Sequence, residues 1–310
     1  MSDISNEPDD TMSFIRLLLH SDQYNVAGLV ATTSTWLNST VVPQEILKTT
    51  HAFGLVQANL ALHTSGQFPT SSYLSSIPSP TPATPAPLLG LAHFIFHLRI
   101  SAISDQDSSA PGIRAKLPFD SIHRFPPRFQ RLRSRNLNFQ LGPLGSQYPD
   151  IAYTMEGDSP AILHTMMNGL NGGPYDHPEW GGWGGGYILL DRSGQSNVYS
   201  NTYDVVLGKD NRTLTSNHAT TWRWRQAFQD EMSARVQWSI LPSYASGSHP
   251  PVVVINGSCG SQPIIYTLPG GSTITLDVRK TYDPDETLPG EHELQWKVGG
   301  DEIIGEGGCL

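Results

Sequence analysis

Asp3, Glu7, Asp9 and Asp10 fall within eight consecutive positions of the opening stretch Met1-Ser-Asp-Ile-Ser-Asn-Glu-Pro-Asp-Asp10, directly before the apolar run Phe14-Ile-Arg-Leu-Leu-Leu19. Carboxylates so close together disfavour one another's ionisation in a folded interior, and a cation or a shared proton relieves the conflict. Clustered carboxylate oxygens are what hard cations such as calcium and magnesium take as ligands. A second reading needs no metal: Asp9 or Asp10 is the N-cap of a helix whose dipole favours negative charge at its start. Pro8, directly before the Asp pair, fixes a turn there and favours the metal reading.

A second stretch with chemical potential runs Asn168-Gly-Leu-Asn-Gly-Gly-Pro-Tyr-Asp-His-Pro-Glu-Trp-Gly-Gly-Trp-Gly-Gly-Gly-Tyr187. So much glycine gives the loop conformational freedom at a high entropic cost. Trp180, Trp183 and Tyr187 beside Asn168, His177 and Glu179 combine aromatic faces with hydrogen-bonding groups, which suits a sugar ring or a nucleobase. His177 also titrates near neutral pH and can move a proton. The same residues equally describe a loop folded over its own aromatics as a lid on the core. Two further acidic positions have double readings. Asp158, before Ser159-Pro160, is a helix cap or a distant carboxylate completing the N-terminal cluster. Asp283-Pro-Asp285 is a turn or a second calcium site.

The elements that must position these groups follow from the hydrophobic pattern. Asp10 to Ser21 predicts an amphipathic helix with Phe14, Ile15, Leu18 and Leu19 on one face. Asn25 to Thr33 predicts a buried strand, and Pro43 opens a second helix that carries Ile46, Phe53, Val56 and Leu60 to a stop at Gly66. Helix, strand, helix is the rhythm of an α/β domain with a parallel sheet, whose sites lie beyond the carboxyl ends of strands. An Asp-rich loop between a first strand and a first helix sits at such an end. The chain starts almost at that loop, so a hydrophobic strand or a leader upstream of it is expected.

The regular pattern then breaks twice. Residues 77–97 begin with a Pro-, Ser- and Thr-rich run, and residues 118–137 overlap a segment, Arg114 to Arg135, that carries seven of the nineteen basic residues. Both are expected to be irregular inserts. Ala161 to Met167 and Ser216 to Met232 predict helices, the latter with Trp222, Phe228 and Met232 inward. From His249 onward short β-rich runs, His249–Asn256, Ser272–Asp277 and Leu294–Val298, alternate with Gly and Pro turns, the pattern of a small β-sandwich. At about sixty residues, its later strands are expected to be missing.

Composition narrows the function classes. A net charge of −9 argues against nucleic acid and is compatible with a neutral sugar or a cation. No run is long enough to span a membrane and no signal peptide is present, while Asn38, Asn211 and Asn256 head three glycosylation sequons, which leaves the compartment open. Two cysteines, Cys259 and Cys309, make no disulfide framework.

The motifs together resemble a known family. Asp3 to Asp10 with Ser13 and Leu17-Leu-Leu19, Gly28 to Trp36, Tyr148 to Ile151, Met155 to Pro160, His177 to Gly184 and Thr221 to Phe228 resemble the nucleoside-hydrolase-like domain of the cellulose-binding Sde182 family. Asn256-Gly257 and Thr281 to Asp285 look like that family's C-terminal immunoglobulin-like domain. The resemblance implies a Rossmann-like, mostly parallel α/β domain over residues 1–245 and a truncated immunoglobulin-like β-sandwich over residues 249–310. In nucleoside hydrolases proper the opening acidic motif binds calcium and ribose hydroxyls. By that match Asp3 is calcium ligand and catalytic base, Asp10 and Asp158 are ligands, and Asp9 accepts the sugar hydroxyls. Asn168, His177, Glu179, Trp180 and Trp183 would line the substrate. The implied activity is calcium-dependent hydrolysis of an N-glycosidic or glycosidic bond in a nucleoside or other sugar substrate; the alternative is a non-catalytic cellulose-binding protein that keeps the fold. An extracellular location is implied as well.

Departures from the family are specific. The Asp3 to Asp9 spacing is two residues longer than in the hydrolases, Gly157 stands where some carry a His that protonates the leaving base, and Met1 replaces another Asp. The family's Trp-Gly-Gly-Ala-Asn strand and a sugar-binding segment are missing where the Pro-rich and Arg-rich runs stand. Both gaps look like an exon-boundary or gene-model fault, which is the expectation to be checked. Sequencing the transcript across residues 75 to 140 should reveal a different reading there; a transcript that reads through as written contradicts this account.

Overall fold

Pro8 opens helix α1 (Pro8–Leu19), where its missing N–H is no loss and its fixed φ suits the first helical turn. The computed structural model describes residues 2, 4–5, 8–32, 39–80, 139–149, 159–166, 178–190, 193, 199–207, 212–259, 264–286, 297–299 and 302–304. After α1 come strand β1 (Leu29–Ala31) and helices α2 (Pro43–Gly54), α3 (Gln57–Leu60) and α4 (Ser71–Ser76). Strand β2 (Pro78–Pro80) and helices α5 (Gly142–Gly145) and α6 (Ser159–Thr165) follow. Two antiparallel hairpins come next, β3 (Tyr187–Leu189) with β4 (Tyr199–Asn201) and β5 (Asp204–Leu207) with β6 (Thr213–Ser216). Helices α7 (Ala219–Trp222) and α8 (Arg225–Trp238) precede a last antiparallel pair, β7 (Lys297–Gly299) and β8 (Glu302–Ile304).

The chain forms two compact units, one of residues 1–164 with 224–244, the other of residues 165–223 with 245–310. In the first, β1 is paired in parallel on both edges. Leu29–Ala31 runs in register with Pro78–Pro80, and the opposite edge bridges Ser2, whose N–H donates to Val30 O at 2.9 Å and whose C=O accepts from Thr32 N at 2.8 Å. Ser2 segment, α1 and β1 thus form one strand–helix–strand crossover, and β1, the helices α2 to α4 and β2 form another. The parallel rhythm expected from the sequence is present locally. Two details differ. Pro78–Pro80, expected as the start of an irregular insert, is a paired strand; it lies at the end of the described order, where a residue without an N–H is tolerated. The second helix stops at Gly54 and not at Gly66, because the chain turns into α3 and Gly54 packs against Ser71 of α4 with no room for a Cβ.

α1 is buried around most of its circumference. Met12, Ile15, Leu18 and Leu19 enter a core shared with Ile46 and Phe53 of α2, Leu74 of α4, Phe139, Leu144 and Met232 of α8. Each such aliphatic side chain contributes about 1.5–3 kcal/mol on burial. The buried face also carries charge, and it is matched by α8. Arg16 Nη1 donates to Phe228 O at 3.2 Å, with the guanidinium 5.7 Å from the Phe228 ring centroid. Arg235 donates from Nη1 to Leu19 O at 2.9 Å and to Asp22 Oδ1 at 3.1 Å, and from Nε to Glu231 Oε1 at 2.9 Å. The other Glu231 oxygen lies 2.7 Å from His20 Nε2, and His20 Nδ1 donates to Arg16 O at 2.8 Å. Arg235 therefore satisfies a carbonyl at the end of α1 that the helix itself leaves without a donor. Sequence periodicity placed the apolar half of this interface correctly and missed the ionic half.

The long helix expected over Ser216 to Met232 is divided, α7 belonging to the second unit and α8 to the first. Ser216 ends β6, and the chain breaks between α7 and α8 at Arg223-Trp224, so only Phe228 and Met232 of the expected inward set lie on one continuous helix. The β-rich C-terminal stretch is held by single bridges, Val252 to Tyr282 and Ile255 to Ser258, and by the β7–β8 pair. Ser272–Asp277, expected as a strand, is not one. Cys259 is disulfide-bonded, a covalent tie the cysteine count alone did not suggest. Residues 81–97 and 118–137 of the expected inserts lie outside the described residues. Among the described residues no helix is long and apolar enough to cross a membrane.

Burial alone would raise the Glu231 carboxyl, but the charges and hydrogen bonds of His20 and Arg235 outweigh it and hold the group well below the usual carboxylate range. The unfolded chain therefore binds this proton more readily than the folded one, and stability falls as pH drops through and below about 4.3. Denaturant melts across pH should show that loss, and Glu231→Gln should flatten it. Arg235→Ala should cost about 3–5 kcal/mol, since it strands two buried carboxylates; a cost below 1 kcal/mol would remove the network from the account.

Candidate functional site

The parallel pairing fixes where the acidic turn lies. Ser2 leaves its bridge to Ala31, and α1 starts six residues later at the end toward which the paired segments run. Asp9 and Asp10 occupy the first turn of α1 and are 6% and 4% exposed. Both stand inside the helix with Pro8 ahead of them, so neither is the N-cap; the capping reading of these two residues is corrected to one in which their charge complements the helix dipole from within the first turn. Ser2 Oγ donates to Asp10 Oδ1 at 2.6 Å, and Ser13 Oγ donates to Asp9 O at 2.7 Å. Ser2 was not foreseen as part of the site. Its only signal in the sequence is its place beside Asp3, one step from the expected strand end.

One Asp10 carboxylate oxygen and the Ser2 hydroxyl meet at this helix start, and oxygen donors are the type that hard cations take. Among the described residues no group of three or more His, Cys, Asp or Glu side chains is assembled around one point. Asp3 and Asp158, the other expected ligands, lie outside the described residues, as do Glu7 and the expected substrate residues Asn168 and His177. The other expected substrate residues, Glu179, Trp180 and Trp183, belong to the second compact unit, whereas Asp9 and Asp10 belong to the first.

The glycine-rich loop resolves into two parts. A single 3₁₀ turn, Pro178–Trp180, carries Glu179 and Trp180 outward, Trp180 at 36% exposure. Three residues on, Trp183 is 3% exposed and packs inside the unit. Trp183 is buried as a loop folded over its own aromatics would have it, while Trp180 is exposed, a split that the sequence left undecided. Glycine is required where the loop joins β3. Gly185 has φ +121°, in the region that side chains avoid, and a Cβ on Gly186 would come within 2.6 Å of Thr202 Oγ1. The loop closes through Gly185 N to Gly182 O at 3.1 Å, Thr202 N to Gly186 O at 2.9 Å and Tyr187 Oη to Gly184 O at 2.8 Å. Burial pushes the Tyr187 phenol well above its ordinary value, so this hydroxyl remains a donor at any physiological pH.

Asp283-Pro-Asp285 is used internally. Asp285 N donates to Asp283 Oδ1 at 2.8 Å, and the Asp285 carboxylate accepts from His249 N through Oδ2 at 2.5 Å and faces His249 Nδ1 through Oδ1 at 2.6 Å. Both Asp285 oxygens are engaged by His249, and the Asp283–Asp285 hydrogen bond closes the turn that the sequence offered as one of the two readings.

Comparison with known proteins bears on the fold. A solved structure of a nucleoside hydrolase-related hypothetical protein from Saccharophagus degradans, described as associated with carbohydrate metabolism, superposes with a TM-score of 0.65. The alignment has 22% identity and covers 92% of this chain and 81% of that one, so the fold is nucleoside hydrolase-like. Residues 1–84 and 128–187 match the family model of the cellulose-binding Sde182, nucleoside hydrolase-like domain, and the resemblance carried by the N-terminal motif and the Gly-Trp loop stands over those stretches. No curated protein matches.

The two tryptophans should separate cleanly in stability. Trp183→Ala is expected to cost about 3–5 kcal/mol in denaturant melts, a large-to-small change in a packed interior. Trp180→Ala should stay within about 0.5 kcal/mol of the parent, as surface changes usually do. Equal costs would contradict the division of the loop.

Proposed function

We propose that the chain is a sugar-directed hydrolase of the nucleoside hydrolase-like class, with its reaction centre at the start of α1. The observation that carries the reading is the joint burial of Asp9 and Asp10 in the first helical turn at the carboxyl end of a parallel-paired segment, the place where α/β sheets put their sites. The match to the Sde182 nucleoside hydrolase-like domain supports it. On this reading the local parallel pairing is one part of a Rossmann-like, mostly parallel sheet, and residues 249–310 belong to an immunoglobulin-like sandwich.

Asp3, Asp10 and Asp158 are the residues that would hold calcium. Bound there, the ion supplies a water of lowered pKa and charge stabilisation. The side chains do the rest. The Asp3 carboxylate takes the proton of the attacking water, and the Asp9 carboxylate accepts hydrogen bonds from the sugar hydroxyls, fixing the anomeric carbon toward that water. Ser2 Oγ holds the Asp10 carboxylate in one orientation through its 2.6 Å hydrogen bond. As the glycosidic bond lengthens, an oxocarbenium-like centre develops beside these anionic groups, which favour it electrostatically. Gly157 leaves the leaving base without the histidine donor some hydrolases use, so substrates whose leaving group departs unaided are the better candidates.

A non-catalytic glucan binder is the second reading, and exposed Trp180 beside exposed Glu179 is the observation that favours it. Calcium should raise the melting temperature of the full chain, and Asp10→Ala should abolish the shift. A ribose-release assay with nucleosides, run beside a pull-down on insoluble cellulose, separates the two. Release that is lost in Asp9→Ala supports the hydrolase; retention on cellulose without release, weakened by Trp180→Ala, supports the binder. Absence of any calcium shift in the parent protein counts against the metal site itself.

A further inference from the structure

Asn256 and Gly257 form the tip of a tight turn in which both residues have positive φ, 50° and 81°. Ile255 and Ser258 close it reciprocally, Ile255 N donating to Ser258 O at 2.8 Å and Ser258 N to Ile255 O at 2.9 Å. This is the Asn-Gly pairing that two-residue hairpins select. The side chain of Asn256 is held away from the turn. Its Oδ1 accepts from Asp277 N at 2.7 Å, and its Nδ2 donates to the Tyr266 hydroxyl at 2.7 Å. Its backbone N–H reaches the same residue, donating to Asp277 O at 2.8 Å. Gly257 is the opposite case. Nothing lies within 4 Å of where its Cβ would be, and among the described residues its N–H has no acceptor. The turn as a whole is exposed.

We propose that Asn256 is a latent deamidation site, kept intact in the folded protein by the two hydrogen bonds that Tyr266 and Asp277 make to its side-chain amide. The chemistry needs only water. The deprotonated backbone nitrogen of Gly257 attacks Asn256 Cγ; the N–Cγ bond forms, the Cγ–Nδ2 bond breaks, and Nδ2 leaves as ammonia after taking up a proton. The resulting succinimide is opened by water at either carbonyl, giving aspartate or isoaspartate at position 256. No electrons are exchanged. Unhindered Gly257 makes the attack easy, and rotation of Cγ toward its nitrogen requires both side-chain hydrogen bonds to break first. Reaction therefore follows local opening of the turn. The product removes the acceptor amide of the Asn256-Gly257-Ser258 sequon and places a carboxylate close to Asp277, which is already paired with Arg279 at 2.8 Å. The isoaspartate form also lengthens the backbone at the turn and breaks its register with Ser258.

The test is incubation of the full chain at mildly alkaline pH, followed by peptide mass spectrometry that separates asparagine, aspartate and isoaspartate at position 256. The native protein should convert much more slowly than the same chain in denaturant. Tyr266→Phe, which keeps the ring and removes the acceptor hydroxyl, should convert about two- to ten-fold faster than the parent, the population change one neutral hydrogen bond controls. Gly257→Ala, measured in denaturant where folding is not at issue, should slow conversion. Equal rates for folded and denatured parent, an unchanged rate in Tyr266→Phe, or no conversion in denaturant would each overturn the proposal.

Discussion

Arg235 is the group on which the unit carrying the acidic turn depends. It sits on α8 with its guanidinium bonded to the last carbonyl of α1 at Leu19, to Asp22 just beyond it, and to Glu231 one helical turn away. Taking so many charges out of water is costly, and the cost is recovered only if every partner is in place. His20 and Arg16 complete the set from the α1 side, His20 bridging the Glu231 carboxylate and the Arg16 carbonyl. The ionic set gives α1 one orientation against α8. That orientation decides which way its first turn faces, and Asp9 and Asp10 are in that turn.

At the other end of α1 the constraint is the sheet. Ser2 is fixed twice, through its backbone to Val30 and Thr32 and through its hydroxyl to Asp10. The paired strand and the carboxylate are therefore positioned by the same residue. Between the sheet at its start and Arg235 at its end, α1 is held at both termini, the condition a polar site needs if its geometry is to be preorganised. The Gly-Trp loop is built on a different principle. Glycines let the backbone close tightly enough for Trp183 to be buried, and the short 3₁₀ turn before it leaves Trp180 outside.

The sequence disclosed those features that follow from one short-range pattern. The apolar faces of α1 and α2, Pro43 at a helix start and the helix after Ser159-Pro160 all rest on spacing or on single-residue stereochemistry, and they are present. The division of the Ser216 to Met232 run was hidden because a hydrophobic period does not report a break at Arg223-Trp224. The fate of two nearby tryptophans, one inside and one outside, depends on backbone turns at glycines that a sequence does not orient. The Arg235 set joins residues more than two hundred positions apart. Even its local pair, Glu231–Arg235, reaches past Met232, where the expected helix ended. Part of the candidate site was legible too: the Asp pair was read directly, while Ser2 emerged only from the strand pairing.

The central claim is that the first turn of α1 is the metal and sugar end of a hydrolase-like sheet. Diffraction from calcium-grown crystals of the full chain, with anomalous scattering used to locate the ion, tests it most directly. The account predicts a calcium peak about 2.3–2.6 Å from a carboxylate oxygen of Asp10, with Asp3 and Asp158 completing the shell. Calcium-saturated crystals in which that turn is clear, Asp10 bonds only to protein groups and no ion lies beside it would contradict the claim.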